Sequence, residues 1–450
     1  MRWLRRILGG FALLALVAGV YQYLDVHVPR AAPAGGPVGF DGRLIAASDV
    51  DQGFGAYANG ALDRIPGAMD TLSVLHPAER VDAPEATVEA THSVVGWPHI
   101  MAVSPDGRHA YLVETRGRPA EGVDQVPSVY SAMPPGETLS IIDLSNPAAP
   151  RRVLERSIGK NLGSVEVSAD GRALIVAGLD ALILVELDGP ARIAAIHSYP
   201  LDLSEGFPEG HTASRPGVRS AAFHPDGRHV AVNISDRQVR FYRFGPSLPG
   251  AQPSLTLVGA PLTFGETLTA GVFHPSGDFF LIPDVTWNTN SQVTDFIFNR
   301  EGSIYAVRFD PAGAHELADQ ARVGRSPEGF ALSPDGARVV TVDMNRTYLP
   351  RGLPFWLFGS HAASSLTLLS FDAESGEMTV LDQQGFDGNL PEDAVFDADG
   401  DALAVAIYED AKRADGLGYV AYWRVEDDAL VFTGVETPVA RGAHDLALIP

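Results

Sequence analysis

Glu328, Glu392, His444 and His99 occupy one position of a repeated motif, seven residues before a turn aspartate. For His444 the position follows from aligning the final strand, which stops before its turn. Two carboxylates and two imidazoles brought together could work as an acid–base pair, or hold a divalent metal ion through oxygen and nitrogen. Asp393 and Asp445 follow Glu392 and His444 directly and would add two metal ligands to the same set. Arg219 and Thr269 stand at the same offset in two further copies, as candidate substrate-binding residues. A guanidinium there could take an anionic group bidentately. The remaining copy has Gly163 at this offset. The plainer alternative is a set of polar side chains that meet water in a channel.

The four residues lie 52 to 345 positions apart, so only a repeat can gather them. The copies are H-I-M-A-V-S-P-D-G from His99, S-V-E-V-S-A-D-G from Ser164, R-S-A-A-F-H-P-D-G from Arg219, T-A-G-V-F-H-P-S-G from Thr269, E-G-F-A-L-S-P-D-G from Glu328 and E-D-A-V-F-D-A-D-G from Glu392. An apolar run follows each. Turn residues fall at Asp106, Asp170, Asp226, Ser276, Asp335 and Asp399, at intervals of 50 to 64. That spacing suits one four-stranded propeller blade with its loops. The ends supply a seventh copy. H-D-L-A-L-I-P, His444–Pro450, is a first strand without its turn, and F-D-G-R-L-I-A-A-S, Phe40–Ser48, is a turn and second strand without the first. The expectation is an all-β, seven-bladed β-propeller over residues 40–450, closed by strands from both termini. Two stacked β-sandwiches are the rival and leave the matched half-repeats unexplained.

The stretch P-E-G-F-A-L-S-P-D-G-A-R-V-V-T-V-D-M-N, Pro327–Asn345, resembles the YVTN-type repeat of bacterial seven-bladed propellers, a pattern shared by the lactonase-like propeller family. The resemblance covers about residues 40–450 and speaks for the fold more than the function, since this architecture hosts hydrolases, cofactor carriers and scaffolds. It implies catalysis by His, Arg and Glu around the central channel. The residue types are present, but no full family motif matches position by position.

In a propeller the first strand of each blade lines the channel, so the seven positions should ring one mouth. Second-to-third strand links emerge on the same face, and five are long: about 49–70, 114–137, 284–302, 343–364 and 408–418. Long loops on a rigid scaffold usually carry function, and these could form a lid. The loop Met344–His361 has an apolar tip containing Phe355, Trp356 and Phe358, a candidate partner or membrane contact or a pocket wall.

Residues 1–28 read as a signal peptide or signal-anchor: Arg2, Arg5 and Arg6 precede the apolar run Ile7–Val20. Residues 29–39 read as a linker. The chain is expected to be periplasmic or otherwise extracytoplasmic, with inner-membrane anchoring left open. A formal net charge of −23 argues against nucleic-acid partners. The absence of cysteine excludes disulfides, thiolate metal ligands and covalent c-type haem. No P-loop and no tryptophan-docking repeat occurs, so no nucleotide and no PQQ is expected. His224 and His274 read as turn residues, and Asp397–Asp401 as an acidic turn lacking the glycine and glutamate of a calcium loop. Two functions remain: a lactonase-like hydrolase or isomerase, with or without a divalent ion, and a non-catalytic binding or assembly module that meets a periplasmic or membrane protein.

Overall fold

Seven four-stranded antiparallel sheets are arranged as the blades of a propeller. The computed structural model describes residues 2–25, 28–90, 95–204, 217–246, 250–287, 300–352, 359 and 361–450. The inner strands of the first six blades are Met101–Val103, Leu162–Val167, Val218–Phe223, Val272–Phe273, Pro327–Leu332 and Asn389–Phe396. The closing blade takes Ala443–Ile449 as its inner strand and adds Arg43–Ser48, Thr71–Leu75 and Ala86–Glu89. Its register runs from Arg43 opposite Ile449 to Ala47 opposite Asp445, with a bulge before Ser48 pairs Ala443. The two chain ends therefore share one sheet, as the half-repeats require. Ring closure gives the final strand a ladder partner from the other end of the chain.

The repeated turn has a local cause. In the first, second and fifth blades a serine hydroxyl donates to the turn aspartate, as Ser104 does to Asp106 at 2.6 Å. The same carboxylate accepts the N–H two residues on. Gly107, Gly171 and Gly336 close these turns with φ near +70°, a region a side chain enters at a cost.

His224 and His274 do more than fill turns. The Asp226 N–H donates to Nδ1 of His224, which leaves Nε2–H to donate to the Gly277 carbonyl of the next blade at 2.9 Å. His274 repeats this onto Gly336 of the fifth blade at 3.2 Å, while its ring stacks on Phe371. A Cβ on Gly336 would stand 2.1 Å from His274 Nε2, so imidazole and glycine need each other. Removing the latch in His274→Ala should lower unfolding free energy by about 2 kcal/mol, the buried hydrogen bond plus lost packing. Urea denaturation measures this, and an unchanged midpoint would mean the latch carries no load.

The N-terminal segment forms one helix, Arg2–Asp25. Among the described residues, no helix is long and apolar enough to cross a membrane. The segment read as a linker lies along the outer strands of the fifth and sixth blades. Ala31 N–H donates to Gly385 O, Ala34 N–H to Phe432 O, and Arg424 reaches the carbonyls of Gly35 and Pro37.

Candidate functional site

All seven seams between inner strands are bridged at or near the ring position. Val165 N–H donates to His99 O, and Ala221 N–H to Ser164 Oγ. Ser220 and Asn233 reach Thr269 O, and Thr269 Oγ1 donates to Glu328 O at 2.9 Å. Glu328 and Glu392 share a side-chain hydrogen bond. Asp393 accepts Leu446 N–H at 3.0 Å, and Asp445 accepts Met101 N–H at 2.8 Å. The repeat thus places its polar residues in a continuous circle.

Within that circle the predicted residues fall into different settings. Glu328, Glu392 and His444 belong together. All three are buried, and Nδ1 of His444 lies 3.7 Å from Glu392 Oε2. Burial and the neighbouring charge of Glu328 raise the Glu392 pKa well above the ordinary carboxylate range, and the two carboxyls are hydrogen-bonded. Asp393 and Asp445 form a second hydrogen-bonded pair one residue on. Burial and the charge of Asp445 raise Asp393 strongly, and burial lifts Asp445 to about 6. Their backbone partners make this second pair a tie between the sixth, closing and first blades.

His99 stands apart. Its backbone takes φ +77°, an unusual value for a non-glycine residue. Its ring lies 6.5 Å from Phe330 of the fifth blade. Nε2 is buried without a hydrogen-bond partner among the described residues, and burial lowers the pKa to about 4. His99 is therefore a neutral imidazole at physiological pH. Thr269 is fully buried, and its hydroxyl braces the Glu328 backbone. Arg219 lies 3.7 Å from Asp236 and lines the mouth.

The metal expectation meets a different geometry. Among the described residues, His, Asp and Glu come within 4.8 Å of one another in threes at Asp49, Asp51 and Asp70 and at His224, Asp226 and His229. Neither set belongs to the ring. Arg118 already pairs with Asp51 and Asp70, and the His224 set belongs to the blade latch.

A lid is present. The links of the closing and first blades each contain a helical turn, Ala56–Asn59 and Val129–Ala132. They are joined by Leu62 N–H to Asp124 O and Val126 N–H to Gly60 O, both 2.9 Å. A Cβ on Gly60 would meet Val126 O at 2.0 Å, so only glycine allows this approach. Ala56, Leu62, Val95, Val126, Val129 and Met133 pack beneath as a small second core. The lid sets Tyr57 over the ring, where the charges of Glu392 and Glu328 help raise its pKa after burial itself. The tip with Phe355, Trp356 and Phe358 lies outside the described residues, as do residues 288–299 of the amide-rich loop.

Between lid and ring is a cavity of about 90 Å³. Tyr57, Trp97, Tyr130, Trp287 and Tyr348 form its apolar walls, with Glu328 on one side and Arg116, Asn161 and Arg219 on another. Trp287 is fixed by Nε1–H donating to Ser326 Oγ at 3.0 Å. Arg116 donates to Asn161 Oδ1 at 2.7 Å and to Tyr130 O at 3.0 Å, and burial lowers its pKa. Both partners are neutral, so its charge faces the cavity without a carboxylate among the described residues. Gly163 explains the room. A Cβ there would stand 2.7 Å from Arg219 O, so this ring position bears no side chain, and Arg116 and Asn161 border the gap. Sequence reasoning missed Tyr57, Trp97, Arg116, Tyr130, Asn161 and Tyr348. The single glycine in an otherwise polar ring was the available signal.

The WD domain, G-beta repeat model matches residues 204–243, about one blade of the chain. No curated protein matches the sequence. Solved structures do match in shape. The periplasmic gluconolactonase PpgL of Pseudomonas aeruginosa aligns with TM-score 0.61 at 14% identity, covering 91% of this chain and 99% of that one. A Bacteroides fragilis protein provisionally described as a 6-phosphogluconolactonase gives 0.57 at 12%, with 91% and 99% covered. A hypothetical selenium-binding protein from Sulfolobus tokodaii gives 0.54 at 11%, with 91% and 93% covered. At these identities the likeness is one of fold: the chain is a seven-bladed β-propeller of the architecture found in lactonase-like proteins.

Proposed function

We propose that the chain is an exported lactonase-like hydrolase whose active site is the lidded channel mouth. One observation carries the reading: Glu328, which lines the cavity beside arginine and aromatic side chains, is hydrogen-bonded to the buried carboxyl of Glu392. Two carboxyls that share a proton can give one and take one at neutral pH, since their pKa values are driven apart. Lactone hydrolysis needs both acts. The ionised carboxylate takes a proton from water as the water oxygen bonds to the lactone carbonyl carbon. The carbonyl–ring oxygen bond then breaks, and the protonated partner gives its proton to the departing ring oxygen. The product is an open-chain hydroxy acid. Arg219 and Arg116 face the polarised carbonyl and any anionic substituent, where charge-assisted donors are strongest. The aromatic walls take the apolar face of the ring and exclude water. His444 beside Glu392 adds a nearby positive charge when protonated, favouring the ionised state of that carboxyl. The charged leader and apolar run support export.

The test is proton release in a pH-stat from a panel of five- and six-membered lactones, neutral and anionic. Turnover should exceed the uncatalysed background by at least about 10⁴-fold for one member. Arg116→Met should raise KM more for anionic than for neutral lactones. Binding without turnover across the panel would favour the non-catalytic module instead.

A further inference from the structure

On the turn face, away from the channel mouth, the seam between the second and third blades opens into a groove of about 880 Å³. Later seams are latched there. Arg308 donates to the carbonyls of Glu374 and Ser375, Leu430 N–H to Asp382, and Arg424 to the carbonyls of Gly35 and Pro37. Arg243 holds the third-strand position equivalent to Arg308 and Arg424. Each is followed by a residue whose N–H closes on its own turn: Phe244 on Arg228 O, Phe309 on Asp278 O and Val425 on Asp401 O. Yet the guanidinium of Arg243 has no hydrogen-bond or ion-pair partner among the described residues, and neither has that of Arg228. Both are exposed and line the groove. Arg172 faces them from the second blade. The neighbouring Asp170 carboxylate is already held by Ser168 Oγ and the Arg172 N–H. Leu187, Phe223 and Phe244 lie between the arginines, and Glu186, the second carboxylate of the lining, sits 3.4 Å from His197 Nε2.

Three arginines against two carboxylates, Asp170 and Glu186, leave this groove with a local positive excess in a chain of net charge −23. The whole molecule repels acidic partners, so a local cluster of this kind selects one by complementarity. We infer that the groove docks a short acidic peptide segment of a partner protein. One large apolar side chain sits on Leu187, Phe223 and Phe244, and flanking carboxylates pair with Arg172, Arg228 and Arg243. The groove volume matches a few side chains. Its concavity keeps the apolar floor from a flat anionic bilayer, and the net charge opposes nucleic acid.

The experiment uses the purified chain and a fluorescein-labelled peptide, Asp-Glu-Asp-Phe-Glu-Asp, read by fluorescence polarisation at low salt. Binding should weaken at least about tenfold in Arg228→Glu/Arg243→Glu, and by a similar factor when the peptide phenylalanine is replaced by alanine. A lysine analogue of the peptide should not bind. Both arginines are exposed, so circular dichroism should show an unchanged fold, and lactone turnover should also be unchanged, because the groove is remote from the channel mouth. No binding of the acidic peptide, equal binding to the charge-reversed protein, or arginine-dependent binding only to phosphatidylglycerol vesicles would overturn the inference.

Discussion

A chain ending at Gly442 is expected to remain unfolded, although it keeps six complete blades. The missing strand, Ala443–Ile449, pairs with Arg43–Ser48 along its whole length. It also supplies buried Ala443, His444, Asp445 and Leu446. Without it the Asp393 carboxyl loses the Leu446 N–H, and Met101 N–H loses Asp445. Two seams then open at once and two inner strands face solvent. Domains are stable by about 5–15 kcal/mol, and the removal of one inner strand with both its seams is of that order. The expected result is loss of the cooperative urea transition and of compact elution. Adding the missing strand back as a free peptide should restore part of the signal, since the truncated chain keeps every residue that pairs with it. A cooperative transition in the truncated chain would show that the ring does not depend on shared termini.

The second large effect is an inverted pH dependence of stability. Three buried carboxyls and the half-buried Glu166 have folded-state pKa values raised by desolvation: Asp445 to about 6, Asp70 and Asp343 to about 7, and Glu166 to about 8. Unfolded, such groups titrate near 3.8 to 4.5. Between those limits the folded state binds more protons than the unfolded state, so stability falls as pH rises. Two aspartates, Asp143 at the end of a third strand and Asp226 in a blade turn, act in the opposite sense. Asp143 and Asp226 are lowered to about 2, where backbone N–H donors hold the ionised form of both, against desolvation in Asp226. Their contribution is present above about pH 4 and is lost below it. Stability should therefore peak near pH 4–5 and decline toward pH 8, with the melting temperature falling by about 5 °C. Glu166→Gln keeps an acceptor for the Phe223 N–H and should flatten the alkaline decline. A melting temperature higher at pH 8 than at pH 5 would contradict the assignment.

The architecture was legible because each blade repeats one strand–turn–strand signature. Fixing the Asp or Ser of the turn fixes the register of the inner strand and thereby which residues meet the channel. His444 could be placed only because the ends complement each other, which the shared sheet bears out. What could not be read was how ring members pair. Glu328 and Glu392 touch because adjacent inner strands stand side by side at one height, while Asp393 and Asp445 take the opposite side of the same strands and bind backbone. A one-dimensional offset does not distinguish the two faces. The lid was visible as loop length alone. Its aromatic and arginine residues lie in segments without a repeat, so no offset marked Tyr57, Arg116 or Tyr348. The blade latch at His224 and His274 was hidden for another reason: the turn histidine is meaningful only beside the glycine of the next blade, 53 and 62 residues on.

The most direct measurement is the initial rate of lactone ring opening by the wild-type chain, Glu328→Gln and Glu392→Gln, with each variant's fold checked by its thermal transition. An amide in either position cannot share the proton, yet it relieves the buried charge and should leave the fold intact or slightly more stable. Each variant should lose at least about 100-fold in kcat with little change in KM. Rates within twofold of wild type in both would place the chemistry, if any, outside the channel mouth.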